Sequence, residues 1–154
     1  MVYQIAQLNV AKMRSPLDDP RMKEFADALD SVNATAEGSE GFVWRLQTED
    51  GNATSVRMYD DDRLLVNISV WESVEHLKAF VADPGHLAVM RRRLEWFEAA
   101  GAPYLVLWWI PQGHLPTVEE ARARLDHLRE NGPSSHAFDF SHRYDAPAEA
   151  VVGD

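Results

Sequence analysis

Asn67, Ser69 and Trp71, followed at helical distance by His86 and Arg93, have the types and spacing to hold an oxygen-bearing ligand. The first three lie at alternate positions of the stretch Leu64 to Trp71. They share one strand face with Leu65, while Leu64, Val66, Ile68 and Val70 share the other. Downstream, a helix beginning near His86 carries a broad apolar arc of Leu87, Val89, Met90, Leu94, Trp96 and Phe97 at about 3.6 residues per turn. His86 and Arg93 fall near the middle of that arc. A buried arginine without a partner costs several kcal/mol, and none of the strand's inward residues is acidic. This arrangement points to a ligand oxygen held by Arg93, with Asn67 and His86 completing the polar end of an apolar pocket. The competing expectation is that Arg93 extends outward to Glu49, Asp50 or the cluster Asp60, Asp61 and Asp62.

Positioning these groups requires a strand, a turn and two helices in succession. After Trp71 the apolar period changes from two to about 3.6, placing Val74, Leu77, Phe80 and Val81 on one side of a short helix. His76 sits at the edge of that face. Pro84 and Gly85 break the helix before the second one begins. Ser69, His76, Phe80, Met90 and Phe97 are the expected ligand-lining residues.

The flanking chain reads as a mixed fold. Tyr3 to Val10 is a strand, and Asp19 with Pro20 starts a helix whose inner face holds Met22, Phe25, Leu29 and Val32 and which ends before Gly38. A second strand, Gly41 to Gln47, alternates Phe42, Trp44 and Leu46 against Val43, Arg45 and Gln47. The acidic stretch from Glu49 to Asp62 is expected to be a long hairpin loop. Tyr104 to Ile110 is apolar on both faces, so one face is expected on helices and the other on a partner subunit's sheet, joined there by the Leu64, Val66, Ile68 and Val70 face. Thr117 to Glu120 is a capping box opening a helix of about 117–131, with Val118, Ala121, Leu125 and Leu128 in one stripe. His136 to Phe140 could add a short edge strand. Residues 1–142 are expected to form one domain and 143–154 a disordered tail.

Composition narrows the function classes. The chain has 154 residues, 45% of them hydrophobic, enough to bury a core. It has no cysteine, no apolar run of membrane-spanning length and no signal-peptide pattern at its start, so a cytoplasmic location is expected, with no membrane partner. A formal charge of −10 argues against nucleic acid. His114, His127, His136 and His142 show no metal-like spacing, and there is no phosphate loop.

The order strand, helix, two strands, helix, strand is the split β-α-β arrangement. With Val70-Trp71-Glu72-Ser73 leading into Leu77 and Phe80, the chain resembles the dimeric α+β barrel superfamily, which contains antibiotic-biosynthesis monooxygenases, haem-degrading monooxygenases and chlorite dismutases. The stretches Glu40 to Leu46, Trp108 to Thr117 and His136 to Phe140 are similar to a bacterial family of unknown function within it. The resemblance implies an α+β, ferredoxin-like sheet forming a homodimeric barrel, here with an added C-terminal helix. It also implies a cofactor-independent oxygenase or tailoring enzyme for a small aromatic or polyketide-like compound. Cofactor-free quinol oxygenases of the superfamily use an Asn and a Trp four residues apart with an arginine on the following helix, a spacing matched by Asn67 and Trp71 with Arg91 or Arg93. Amide and guanidinium would stabilise an enolate or phenolate oxygen and raise its reactivity toward dioxygen. On this basis Asn67, Trp71, His86 and Arg93 are the candidate catalytic residues. In the haem-degrading relatives' register, Phe80 and Met90 stand where Trp and His would be, while Asn9 matches their Asn. His86, one turn earlier, is then the alternative haem ligand. A third alternative is a binding protein for a small hydrophobic molecule.

Overall fold

The computed structural model describes residues 2–47, 58, 59 and 61–147. Among these, four strands form one antiparallel sheet in the order β2-β3-β1-β4, with β1 (Tyr3–Lys12) and β3 (Leu64–Trp71) at its centre. β2 (Phe42–Arg45) and β4 (Leu105–Pro111) are the outer strands. The ferredoxin-like α+β fold is therefore as expected, because alternation on β3 and double-sided apolarity on β4 leave each strand a sheet position. Most of the expected hairpin loop at 49–62 lies outside the described residues.

Asp19 caps a 3-10 turn, Pro20–Met22, which runs into α1 (Lys23–Glu37). Ser73 caps α2 (Val74–Val81) by accepting from His76 N. Asp83 caps α3 (Pro84–Arg91), so Pro84 is the first helical residue and starts that helix besides ending α2. The long helix expected to begin near His86 is interrupted. At Arg92 the backbone leaves α3, and a short α4 (Arg93–Trp96) follows. Arg92 anchors the break through Glu24 of α1, through Glu95 at 2.7 Å and over the Trp96 ring at 4.7 Å.

Helices α1 to α4 cover one sheet face and α5 (Val118–Asn131) the other. Under α5, Ala6, Leu8, Val66, Ile68, Val70, Val106 and Trp108 are each 0–1% exposed, packed with Ala121, Leu125 and Leu128. This is the face expected to meet a partner's sheet. It is instead closed from within the chain, by the apolar stripe of α5 together with Trp44, Leu46, Met58 and Tyr59. Thr117 caps α5 by accepting from Glu120 N, and the Glu120 carboxylate takes the Trp108 indole N–H at 2.8 Å.

Two smaller expectations change as well. A β-bulge at Val43 makes Trp44 the partner of Val70 and Arg45 the partner of Ser69. Phe42 and Arg45 then share the α1–α4 side, while Trp44 and Leu46 join the core under α5. At the other end, Phe138 forms a single backbone bridge with Leu107, the expected edge pairing in its shortest form. Arg143 and Tyr144, assigned by the sequence to a disordered tail, are tied down: Arg143 reaches Glu75 at 2.6 Å, and Tyr144 O accepts from Trp109 Nε1 at 2.9 Å. Among the described residues no helix is long and apolar enough to cross a membrane.

Candidate functional site

Between the sheet and α1–α4 lies a cavity of about 990 Å³. Its floor is the polar strip that alternation on β3 predicts. Leu65, Asn67, Ser69 and Trp71 all line it, and Asn67 is exposed although Val66 and Ile68 beside it are buried. A mid-sheet residue can be exposed only when nothing packs on it, so the floor is open above Asn67.

The antiparallel register sets Gln7 opposite Ser69 and Asn9 opposite Asn67, on the same face. The side chains form a chain of hydrogen bonds. Asn9 Nδ2 donates to Gln7 Oε1 at 3.0 Å, Gln7 Nε2 donates to Ser69 Oγ at 2.8 Å, and Trp71 Nε1 donates to the same oxygen at 2.9 Å. Gln7 is only 4% exposed, and burying an amide is tolerable here because its bonds are made. Trp71 is also fixed by its ring contacts, stacked on Phe80 at 5.2 Å and edge-on to Phe42 at 5.4 Å.

His86 enters from the first turn of α3. Its ring leans on Phe80 at 5.1 Å, and Nδ1 lies 3.0 Å from the Val81 carbonyl. A carbonyl only accepts, so Nδ1 carries a proton. Burial pushes the imidazole below its ordinary pKa of about 6.5, against the smaller opposing pull of Val81 O and Asp83. At neutral pH the ring is therefore uncharged, and its Nε2 is a bare lone pair with no hydrogen-bond partner among the described residues. That is the state of a general base.

Arg93 also lines the cavity, but it is exposed at the rim, with Nη1 3.4 Å from Met90 O. The expectation of a buried Arg93 fails because the helix breaks at Arg92, so the wheel that centred Arg93 in the arc does not continue. Among the described residues no carboxylate pairs with Arg93 outward either, and Asp61 is taken by Lys12 at 2.5 Å. Glu49, Asp50 and Asp60 lie outside the described residues.

The cavity thus brings together Asn67, Ser69, Trp71, His86 and Arg93, together with Phe80, Met90 and Phe97. It does not include His76. That ring sits on Gly41, where a Cβ would lie 2.2 Å from His76 Cγ, and its Nδ1 is 2.7 Å from Ser73 Oγ. The α2 cap draws the imidazole away from the pocket. Gln7 was not foreseen. Its signal was the pair Gln7 and Asn9 at alternate positions on one face of β1, which becomes meaningful only once β1 is in register with β3. The remaining histidines have partners elsewhere: His114 with Glu120 at 2.6 Å, His142 with Asp139 at 3.0 Å, and His127 against His136 at 4.6 Å between rings. Among the described residues no group of three or more His, Asp or Glu side chains could hold a metal ion.

The family described as Domain of unknown function (DUF3291) matches residues 4–153. The chain belongs to the DUF3291 family. Among curated proteins nothing matches it. Among solved structures it is similar to SnoaB, a cofactor-independent oxygenase from Streptomyces nogalater, at 19% identity and a TM-score of 0.50, over 74% of this chain and 98% of that one. A protein of unknown function from Nitrosomonas europaea aligns with a TM-score of 0.51 at 11% identity, over 75% of this chain and 97% of that one. A conserved protein from Methanosarcina mazei Go1 aligns with a TM-score of 0.50 at 10% identity, over 71% and 92%. At these identities the likeness establishes the fold that the DUF3291 chain shares with them.

Proposed function

We propose that this DUF3291 protein is a cofactor-independent oxygenase of the tailoring kind, acting on a small aromatic or polyketide-like compound. The observation that carries the reading is one cavity of about 990 Å³ that is reached by an amide, an indole, a neutral imidazole and an arginine without a carboxylate partner among the described residues. The shared fold with SnoaB supports the same class. In this reading the open Nε2 of His86 takes a proton from an activated C–H flanked by phenol or carbonyl groups. The Asn67 amide and the Arg93 guanidinium hold the enolate oxygen that results, and the electron-rich carbon reacts with dioxygen. A methylene carbon and one O₂ give a carbonyl and one water, so no external reductant is needed. Phe80, Met90 and Phe97 seat the rings.

The test is oxygen uptake with 1,8-dihydroxyanthrone by the purified protein. One O₂ consumed per anthrone, with the quinone as product, is the expected result. Asn67→Ala and Arg93→Met should each lower the rate by about 10²-fold at an unchanged melting temperature, the scale of losing one oxyanion donor. Anthrone that binds and quenches tryptophan fluorescence without oxygen uptake would make the protein a binder of hydrophobic ligands instead. His86 supports a second reading, since an imidazole with Nδ1–H on a carbonyl and Nε2 open would be able to hold a haem iron. A Soret band on the purified protein would favour that reading.

A further inference from the structure

Ser69 lies on the cavity floor at 7% exposure, and both lone pairs of its oxygen are occupied. The Trp71 indole N–H can only donate, and it lies 2.9 Å from Ser69 Oγ. Gln7 Nε2 supplies the second bond at 2.8 Å. The orientation of the Gln7 amide follows from its other neighbours. Its nitrogen also faces the Asn67 carbonyl at 3.5 Å, which can only accept, and its Oε1 receives Asn9 Nδ2 at 3.0 Å. A serine oxygen has two acceptor sites and one proton. With one acceptor site filled from the neighbouring strand by Gln7 and the other along its own strand by Trp71, the proton is what remains. No acceptor among the described residues takes it.

We infer that Ser69 is a one-way hydrogen-bond donor to the cavity's occupant, held in that polarity by Gln7 and Trp71, and that it selects ligands carrying a carbonyl, quinone or enolate oxygen over the same rings without one. Ser69 is the specificity-determining residue, and Gln7 is a positioning residue acting through it. A free serine could serve a ligand hydroxyl as acceptor or a carbonyl as donor. This one cannot accept, so a ligand donor placed over it would meet a proton rather than a lone pair. The discrimination rests on differential satisfaction of one polar group in an otherwise apolar cavity. The inference rests on the reading of the cavity as a seat for aromatic ligands.

The test uses two probes of one shape: 2-methyl-1,4-naphthoquinone, which only accepts hydrogen bonds, and 2-methylnaphthalene, which lacks oxygen. Affinities are read by titration of tryptophan fluorescence. The wild-type protein is expected to bind the quinone about 10-fold or more tightly than the hydrocarbon, the effect of one well-made bond. Ser69→Ala should remove most of that ratio and leave the hydrocarbon's affinity in place. Gln7→Glu keeps Ser69 but sets a carboxylate against it. The serine proton then turns to the carboxylate, and the ratio should fall again. Gln7→Met is the companion variant should a buried carboxylate unfold the chain. It frees one lone pair, so 2-naphthol should gain on the quinone relative to wild type. A quinone-to-hydrocarbon ratio unchanged in Ser69→Ala, with both probes bound, would overturn the inference and leave the cavity reading intact. Failure of both probes to bind the wild-type protein would overturn both.

Discussion

The two faces of the sheet come from the same strands and the same alternation, yet they are finished differently. Under α5 the side chains are Ala, Leu, Val, Ile, Met and Trp with the single buried amide of Gln4 near the strand end, and the strand residues named there are essentially inaccessible. Under α1–α4 the same strands present Gln7, Asn9, Asn67 and Ser69, and a cavity of about 990 Å³ remains above them. An apolar face can be closed by any element with a matching stripe, because burial there only gains. A polar face cannot be closed by apolar side chains without stranding its hydrogen-bonding groups. The helices therefore gather at the edges of that face, on Trp71, Phe25 and Phe97, and stand off its centre. The face under α5 is filled across its width, whereas the other face keeps its buried clusters at the edges of an open polar centre.

The comparison breaks most severely if α5 is removed. Ending the chain after Gln112 takes away Ala121, Leu125 and Leu128 and uncovers Val66, Ile68, Val70, Val106 and Trp108. Each uncovered large side chain forfeits about 1.5–3 kcal/mol. The truncated chain should lose its cooperative thermal transition or associate through the bared face, as read by melting and light scattering. An unchanged melting temperature in a monomeric truncation would reduce α5 to a tether.

Single substitutions sharpen the same contrast. Leu125→Ala, at a fully buried position, should cost about 2–5 kcal/mol in urea denaturation. Asn67→Ala, on the open floor, should stay within about 0.5 kcal/mol, since nothing packs on it. Equal costs at the two sites would mean that the cavity floor is structural after all.

The smallest effect belongs to pH. His86 is held below its ordinary pKa by burial, so below about pH 6.5 the unfolded chain binds this proton more readily than the folded one. Its contribution is fully present above about pH 6.5 and is lost as pH falls through that value toward the folded pKa. Between pH 7 and pH 5 the wild-type protein should therefore lose more stability than His86→Gln. His136, whose pKa is also lowered by burial, is common to both proteins and cancels in the difference. Parallel losses would place the His86 ring in water rather than against Phe80.

Local pattern was enough for much of this protein. The period change at Trp71, the caps at Asp19 and Thr117, the doubly apolar β4 and the polar face of β3 are all legible in the chain and all present in the fold. These features depend on neighbours within a few residues, and one sequence records them. Tertiary structure decided the rest. Gln7 became part of the floor only through its register with Ser69, a pairing across 62 positions. The bulge at Val43 moved Phe42 away from the Trp44 and Leu46 face to the cavity side, and the break at Arg92 turned Arg93 from a buried residue into a rim residue. The apolar stripe of α5 was visible in the sequence, whereas its choice of the sheet face that a partner was expected to fill was not. The physical reason is common to all of these. Periodicity says which face of an element is apolar, but what covers that face depends on a competition among distant segments that no local pattern encodes.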